Sequence, residues 1–197
     1  MTDVVVLHSA LGLTPSITRL AERLSAAGHR VTAPDYYEGA TFTTAEAGMA
    51  HGDVIGWREQ KRRIAVALED FAASAPVLVG FSLGAAHVKS LLMSRTEVAA
   101  GVMVGAGGLE EGRTWPLPNS VEIHHMLGDP FIEAGGPERL VQAVAAAGGD
   151  AAHYVYPGEG HLFMDEDGDD FDTHWAAVFH ARLDLVLTRF EGGPAAR

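Results

Sequence analysis

Short runs of apolar, largely β-branched residues recur along this 197-residue chain, alternating with stretches whose apolar residues fall at helical spacing. The runs are Val4–Leu7, His29–Ala33, Val77–Gly80, Val98–Val104, Val121–Leu127 and Ala151–Tyr156. The helical stretches lie at about 14–28, 53–74, 83–94, 137–147 and 173–190. In the first, Thr14 stands as N-cap, Pro15 suits the first turn, Ile17, Leu20 and Leu24 share a face, and Gly28 is a natural stop. Strands this short and this uniformly apolar are buried on both sides. Their alternation with helices predicts a mostly parallel sheet with helices on both faces, because each right-handed crossover must cover one side. In such a fold ligands bind at the carboxyl ends of the strands. Residues 36–52, rich in Gly, Thr and Ala without a persistent period, read as an irregular excursion bordering that end. No repeat or linker divides the chain, so residues 1–190 are expected to form one domain and 191–197 a flexible tail.

Composition narrows the chemistry. A formal charge of −12 disfavours nucleic acid, whose backbone must be neutralised by Lys and Arg, and also an anionic membrane surface. The chain contains no cysteine, which removes disulfides, thiolate catalysis and Cys-ligated zinc together. The apolar run at Val4 follows no basic segment and is too short for a signal peptide or a span, so a cytoplasmic location is expected.

Gly80-Phe81-Ser82-Leu83-Gly84 fits G-x-S-x-G and stands directly after a buried run and at the start of a helical one. A sharp strand-to-helix turn there lifts the serine hydroxyl above the sheet, and the Leu83 N–H at the helix start can donate to an oxyanion. A hydroxyl is a weak nucleophile at neutral pH and needs a base oriented by a third group. Asp129, just past the run ending at Leu127, and His161, in Gly158-Glu159-Gly160-His161 after the last run, supply that pair in the order Ser, Asp, His. His8, at the end of the first run, is expected to line the pocket, with Tyr36, Trp57, Trp115 and Phe163 as candidates for its wall. Metal binding is not expected. His124 and His125 point to opposite faces of a strand, and the acidic stretch Asp165–Asp170 has Ala176 where a calcium loop needs its twelfth-position glutamate.

Four segments together resemble the dienelactone hydrolase family of α/β hydrolases over nearly the whole chain. They are Val6–Gly12, Ala33-Pro34-Asp35-Tyr36-Tyr37, the elbow Gly80–Ala85, and the pair Gly128-Asp129-Pro130-Phe131 with Gly160-His161-Leu162-Phe163. The resemblance implies a six-stranded sheet in the order 2-1-3-4-5-6, Asp129 and His161 as acid and base, and the Ala10 N–H as second oxyanion donor. It also marks departures. The family's dienelactone-opening members carry a cysteine at the elbow, a glutamate in the first loop and a substrate-anchoring arginine four residues after the histidine. This chain has Ser82, Ser9 and Asp165 at those places, and Asp165 would repel a carboxylate. Ser9 joins the substrate-binding candidates. The expected function is hydrolysis of a small-molecule ester or lactone without a cofactor. Acyl transfer or thioester cleavage by the same triad, and a non-catalytic ligand-binding module, are the alternatives. Nothing in the sequence sets the oligomeric state.

Overall fold

The computed structural model describes residues 1–71 and 74–191. Strands β1 (Asp3–Leu7), β2 (Arg30–Thr32), β3 (Val77–Phe81), β4 (Ala100–Val104), β5 (Ser120–Met126) and β6 (Asp150–Tyr156) form one sheet in the order β2-β1-β3-β4-β5-β6. Every pairing is parallel. This is the α/β-hydrolase fold that the resemblance implied. The central strands β1, β3 and β4 are buried almost throughout, which is why they read as unbroken apolar runs without alternation.

The alternate residues of those strands face two separate cores. Val4, Val6, Val79 and Val102 pack against Ile17, Leu20 and Leu24 of helix α1 (Pro15–Ala26) and Phe179, Leu183 and Leu187 of helix α6 (Thr173–Arg189). Val5, Leu7, Leu78 and Met103 face Ile64 and Leu68 of helix α3 (Trp57–Glu69), Val88 and Leu92 of helix α4 (Leu83–Leu92), and Leu140 and Val144 of helix α5 (Gly136–Ala146). The period of two along each strand and the helical period on either side therefore meet in one three-layer arrangement.

Three local expectations change. Residues 36–52 are not irregular throughout, because helix α2 (Ala45–Ile55) occupies the second part, started by Thr44, whose side chain accepts from the Ala47 N–H. The helical stretch expected from residue 53 is broken at Gly56, whose φ of 81° ends α2 and lets α3 begin at Trp57. Thr14 stands at the N-cap of α1 but makes no capping hydrogen bond, its Oγ1 being buried without a partner. Residues 192–197 of the expected tail lie outside the described residues.

The order β2-β1-β3 means that the chain leaves β1 in one direction and returns beside it from the other. The carboxyl ends of β1 and β3 therefore flank a crevice, and the Leu7–Gly80 register sets the loops that follow them side by side. The loops after β5 and β6 open on the same end.

Candidate active site

The turn after β3 positions Ser82. Its backbone adopts φ 51° and ψ −109°, one of three positive-φ non-glycine residues among those described. That strain is held because the turn is packed from every side. A Cβ on Gly80 would lie 2.4 Å from the Gly84 carbonyl oxygen, and one on Gly84 would lie 2.2 Å from the Leu7 carbonyl oxygen. Strand, turn and helix thus approach one another at distances only glycine allows, and the Ser82 N–H is tied to the Val104 carbonyl at 2.7 Å.

Ser82 Oγ lies 2.8 Å from His161 Nε2, and His161 Nδ1 lies 2.9 and 3.0 Å from the two Asp129 carboxylate oxygens. With Nδ1–H donating to Asp129, Nε2 is left to accept from the serine hydroxyl. Asp129 is buried, and its Oδ1 also accepts from the Phe131 N–H at 2.9 Å. The His161 loop is fixed by its own N–H donating to Asp170 Oδ2 at 2.8 Å. Gly105, after β4, makes room for the ring, since a Cβ there would come within 2.9 Å of His161 Cε1. Three residues remote in sequence are thereby brought into one hydrogen-bonded chain at the carboxyl end of the sheet.

The Leu83 N–H opens α4 directly after Ser82, the Ala10 N–H lies on the loop after β1, and neither has a hydrogen-bond partner among the described residues. The Ala10 loop is shaped by a contact that the sequence reading did not anticipate. Gly48 of α2 presses on it so closely that a Cβ would lie 1.8 Å from the Ala10 carbonyl oxygen, and Tyr37 Oη–H donates to the Gly48 carbonyl at 3.0 Å. The Leu11 N–H donates to Ser9 Oγ at 3.1 Å, which closes the loop from within.

A cavity of about 270 Å³ opens at Ser82 and His161, walled by Ser9, Ala10, Leu11, Thr43, Ala45, Phe131, Leu162 and the segment containing Asp165, Asp169 and Asp170. Of the expected wall residues only Ser9 is there. His8 is fully buried beneath the loop, stacked on Tyr36 with ring centroids 3.6 Å apart. Tyr36 and Phe163 lie in the two cores, where burial of their large apolar surfaces outweighs any place at the site. Trp115 is also buried, its Nε1–H donating to Asn119, and Trp57 stacks on His87. The cavity wall comes instead from loop residues that carry no periodic signal. His124 and His125 do face opposite sides, the first against Tyr154 and Phe179, the second against His153.

Burial governs the other histidines of this end. Desolvation lowers His8 to about 4 and, as the first of its causes ahead of the neighbouring His8 and Lys61, His87 to about 3. Tyr36 is pushed well above its usual range, first by burial and then by Tyr37 and Asp35. These groups stay neutral and serve as packing.

Residues 1–186 match the model of the family described as the dienelactone hydrolase family. Among solved structures, the chain is similar to a dienelactone hydrolase-like promiscuous phosphotriesterase from metagenomic libraries, with a TM-score of 0.78, 21% identity, and 96% and 86% of the two chains covered. It is similar to a Klebsiella pneumoniae protein provisionally described as a dienelactone hydrolase, with a TM-score of 0.78, 18% identity, and 96% and 88% covered. An α/β hydrolase enzyme from a Medee basin deep-sea metagenome library matches with a TM-score of 0.61, 13% identity, and 94% and 84% covered. At these identities the likeness to the solved structures is one of fold. No curated protein matches the chain significantly. No helix among the described residues is long and apolar enough to cross a membrane.

Proposed function

The chain belongs to the dienelactone hydrolase family, and from that premise we propose that it hydrolyses carboxylic esters or lactones with Ser82, in place of a cysteine, as nucleophile. The observation that carries this reading is the hydrogen-bonded chain Asp129–His161–Ser82 opening on the cavity. A serine hydroxyl gives up its proton far less readily than a thiol, so a serine at the elbow requires a base and an orienting acid, and the hydrogen bonds of His161 to Ser82 and Asp129 support that reading.

In the proposed reaction, Ser82 Oγ forms a bond to the acyl carbon while its proton passes to His161 Nε2. The carbonyl electron pair collects on an oxyanion that accepts from the Ala10 and Leu83 N–H groups. The oxyanion collapses, the bond to the leaving oxygen breaks, and His161 returns the proton to that oxygen. Water then enters as second nucleophile, and the same steps release the acid and restore the serine. Asp129 holds the imidazole in the right tautomer and stabilises its charged form. For a lactone, the leaving oxygen remains attached to the acyl group and departs with the acid in one molecule.

Ser82→Ala is expected to lower turnover of p-nitrophenyl acetate by about 10⁴-fold or more, with circular dichroism and thermal unfolding unchanged. Near-wild-type turnover in that variant would overturn the assignment. Silence of the wild type toward short esters, accompanied by ligand-induced stabilisation, would instead favour a binding module.

A further inference from the structure

We propose that the cavity prefers esters carrying a positive charge over neutral ones and rejects carboxylates, with Asp165 as the specificity-determining residue. This inference rests on the Ser82–His161–Asp129 reading and names the substrate class for it. The walls contain Asp165, Asp169 and Asp170 and no lysine or arginine. None of these three acids has an ion-pair partner among the described residues. Arg19 of α1, which reaches the same acidic segment, is engaged by Glu166 at 3.2 Å and Asp167 at 2.9 Å. Lys89 lines the neighbouring cavity across Phe131, where the Gly108 carbonyl and Glu110 hold it.

Asp165 differs from an ordinary rim acid in being only 5% exposed, with its Oδ1 held by the Asp167 N–H at 3.1 Å and its own N–H by the Leu162 carbonyl at 2.8 Å. Burial of this kind weakens solvent screening of a charge. An independent feature of the same cavity points the same way. Phe131, 63% exposed, lines the cavity with its ring centroid 4.4 Å from that of His161. An aromatic ring beside carboxylates is the pairing that recognises an amine or quaternary ammonium group, and both repel a carboxylate.

The test compares three acetate esters of similar size, namely acetylcholine, its uncharged isostere 3,3-dimethylbutyl acetate, and 4-acetoxybutyrate, in the wild type, Ser82→Ala, Asp165→Asn and Asp169→Asn. The wild type is expected to show kcat/KM in the order cation, neutral, anion, with about tenfold or more between the ends, narrowing as salt is raised. Asp165→Asn should reduce the cation-to-neutral ratio severalfold. Should that variant fold poorly, the exposed Asp169→Asn reduces the ratio by a smaller factor. A cation-to-neutral ratio at or below one, with Ser82-dependent hydrolysis of the neutral ester, overturns the charge inference alone. Turnover of none of the esters, or turnover that survives Ser82→Ala, overturns the underlying reading and this inference with it.

Discussion

Two histidines at the same end of the sheet, His161 and His8, show how differently one fold can surround the same side chain. Both follow a parallel strand and both rings are largely out of solvent. His161 has a carboxylate on one nitrogen and a hydroxyl on the other, and its edge meets the cavity. His8 has the Ser9 carbonyl at 2.7 Å on Nδ1, no hydrogen-bond partner on its buried Nε2, and Tyr36 flat against its face. The nearest carboxylate, Asp35, stands 3.8 Å from that nitrogen. A proton arriving on His161 meets a buried anion that stabilises the imidazolium, whereas one arriving on His8 meets desolvation with little in return. Strand-end position, which the two share, therefore does not by itself mark a base; the proposal for His161 rests on its carboxylate partner and on the hydroxyl at its second nitrogen.

The comparison breaks most visibly at His161. His161→Gln, which keeps polarity but loses the proton carrier, is expected to lower ester kcat by about 10⁴-fold, while His8→Phe costs less than about tenfold; initial rates at pH 8 on p-nitrophenyl acetate check both. A large loss in His8→Phe alone would reverse the roles.

Acid stability sharpens the contrast from the other side. Unfolded imidazoles protonate near 6.5, but burial holds His8 to about 4 and His87 to about 3 in the folded chain. Between those values the unfolded chain binds more protons, so the stability that these neutral rings contribute is complete above about pH 6.5 and is lost as pH falls through the window. By pH 5 the loss is roughly 2 kcal/mol for each buried ring. Urea midpoints at pH 7 and pH 5 should fall apart in the wild type and draw closer in His8→Phe.

The floor of the Ala10 loop gives a smaller effect. Gly48→Ala drives a methyl group into the Ala10 carbonyl and is expected to lower kcat by about 10²-fold, the loss typical of a misplaced oxyanion donor, with KM little changed. Ala50→Gly serves as control on the same helix, since Ala50 is exposed in its middle and the change weakens the helix by about 1 kcal/mol without adding an atom at the loop. Equal kcat losses in the two would mean that the helix is merely being disrupted.

The smallest change is Ser9→Ala, which removes the acceptor of the Leu11 N–H and should cost about 1 kcal/mol of stability with a few-fold loss of turnover. A thermal melt and one Michaelis curve are sufficient.

The alternation of strands and helices, the elbow at Ser82 and the candidates Asp129 and His161 were legible in the sequence, because each depends on local pattern: apolar runs mark strands, glycines mark a turn that only they can make, and polar residues just past a strand end lie at the open end of a parallel sheet. The order of the strands came only from the family resemblance, since local pattern does not say which strands pair. Helix α2 was not legible. Its glycines, which look like breakers in sequence, are the points where it touches Ala10 and Tyr37. The aromatic residues Tyr36, Trp115 and Phe163 were drawn into the interior by the same hydrophobic gain that made them look like pocket walls. The cavity wall, by contrast, gathers Leu11, Thr43, Phe131, Leu162 and Asp165 from loops far apart in the chain, with Ala45 from the start of α2. The sequence by itself determined the layers and which residues reach the end of the sheet where ligands bind, since both follow from periodicities of two and 3.6 residues. Only the tertiary structure decided which of those residues face one another across the site, since loops without periodicity are placed by their long-range contacts.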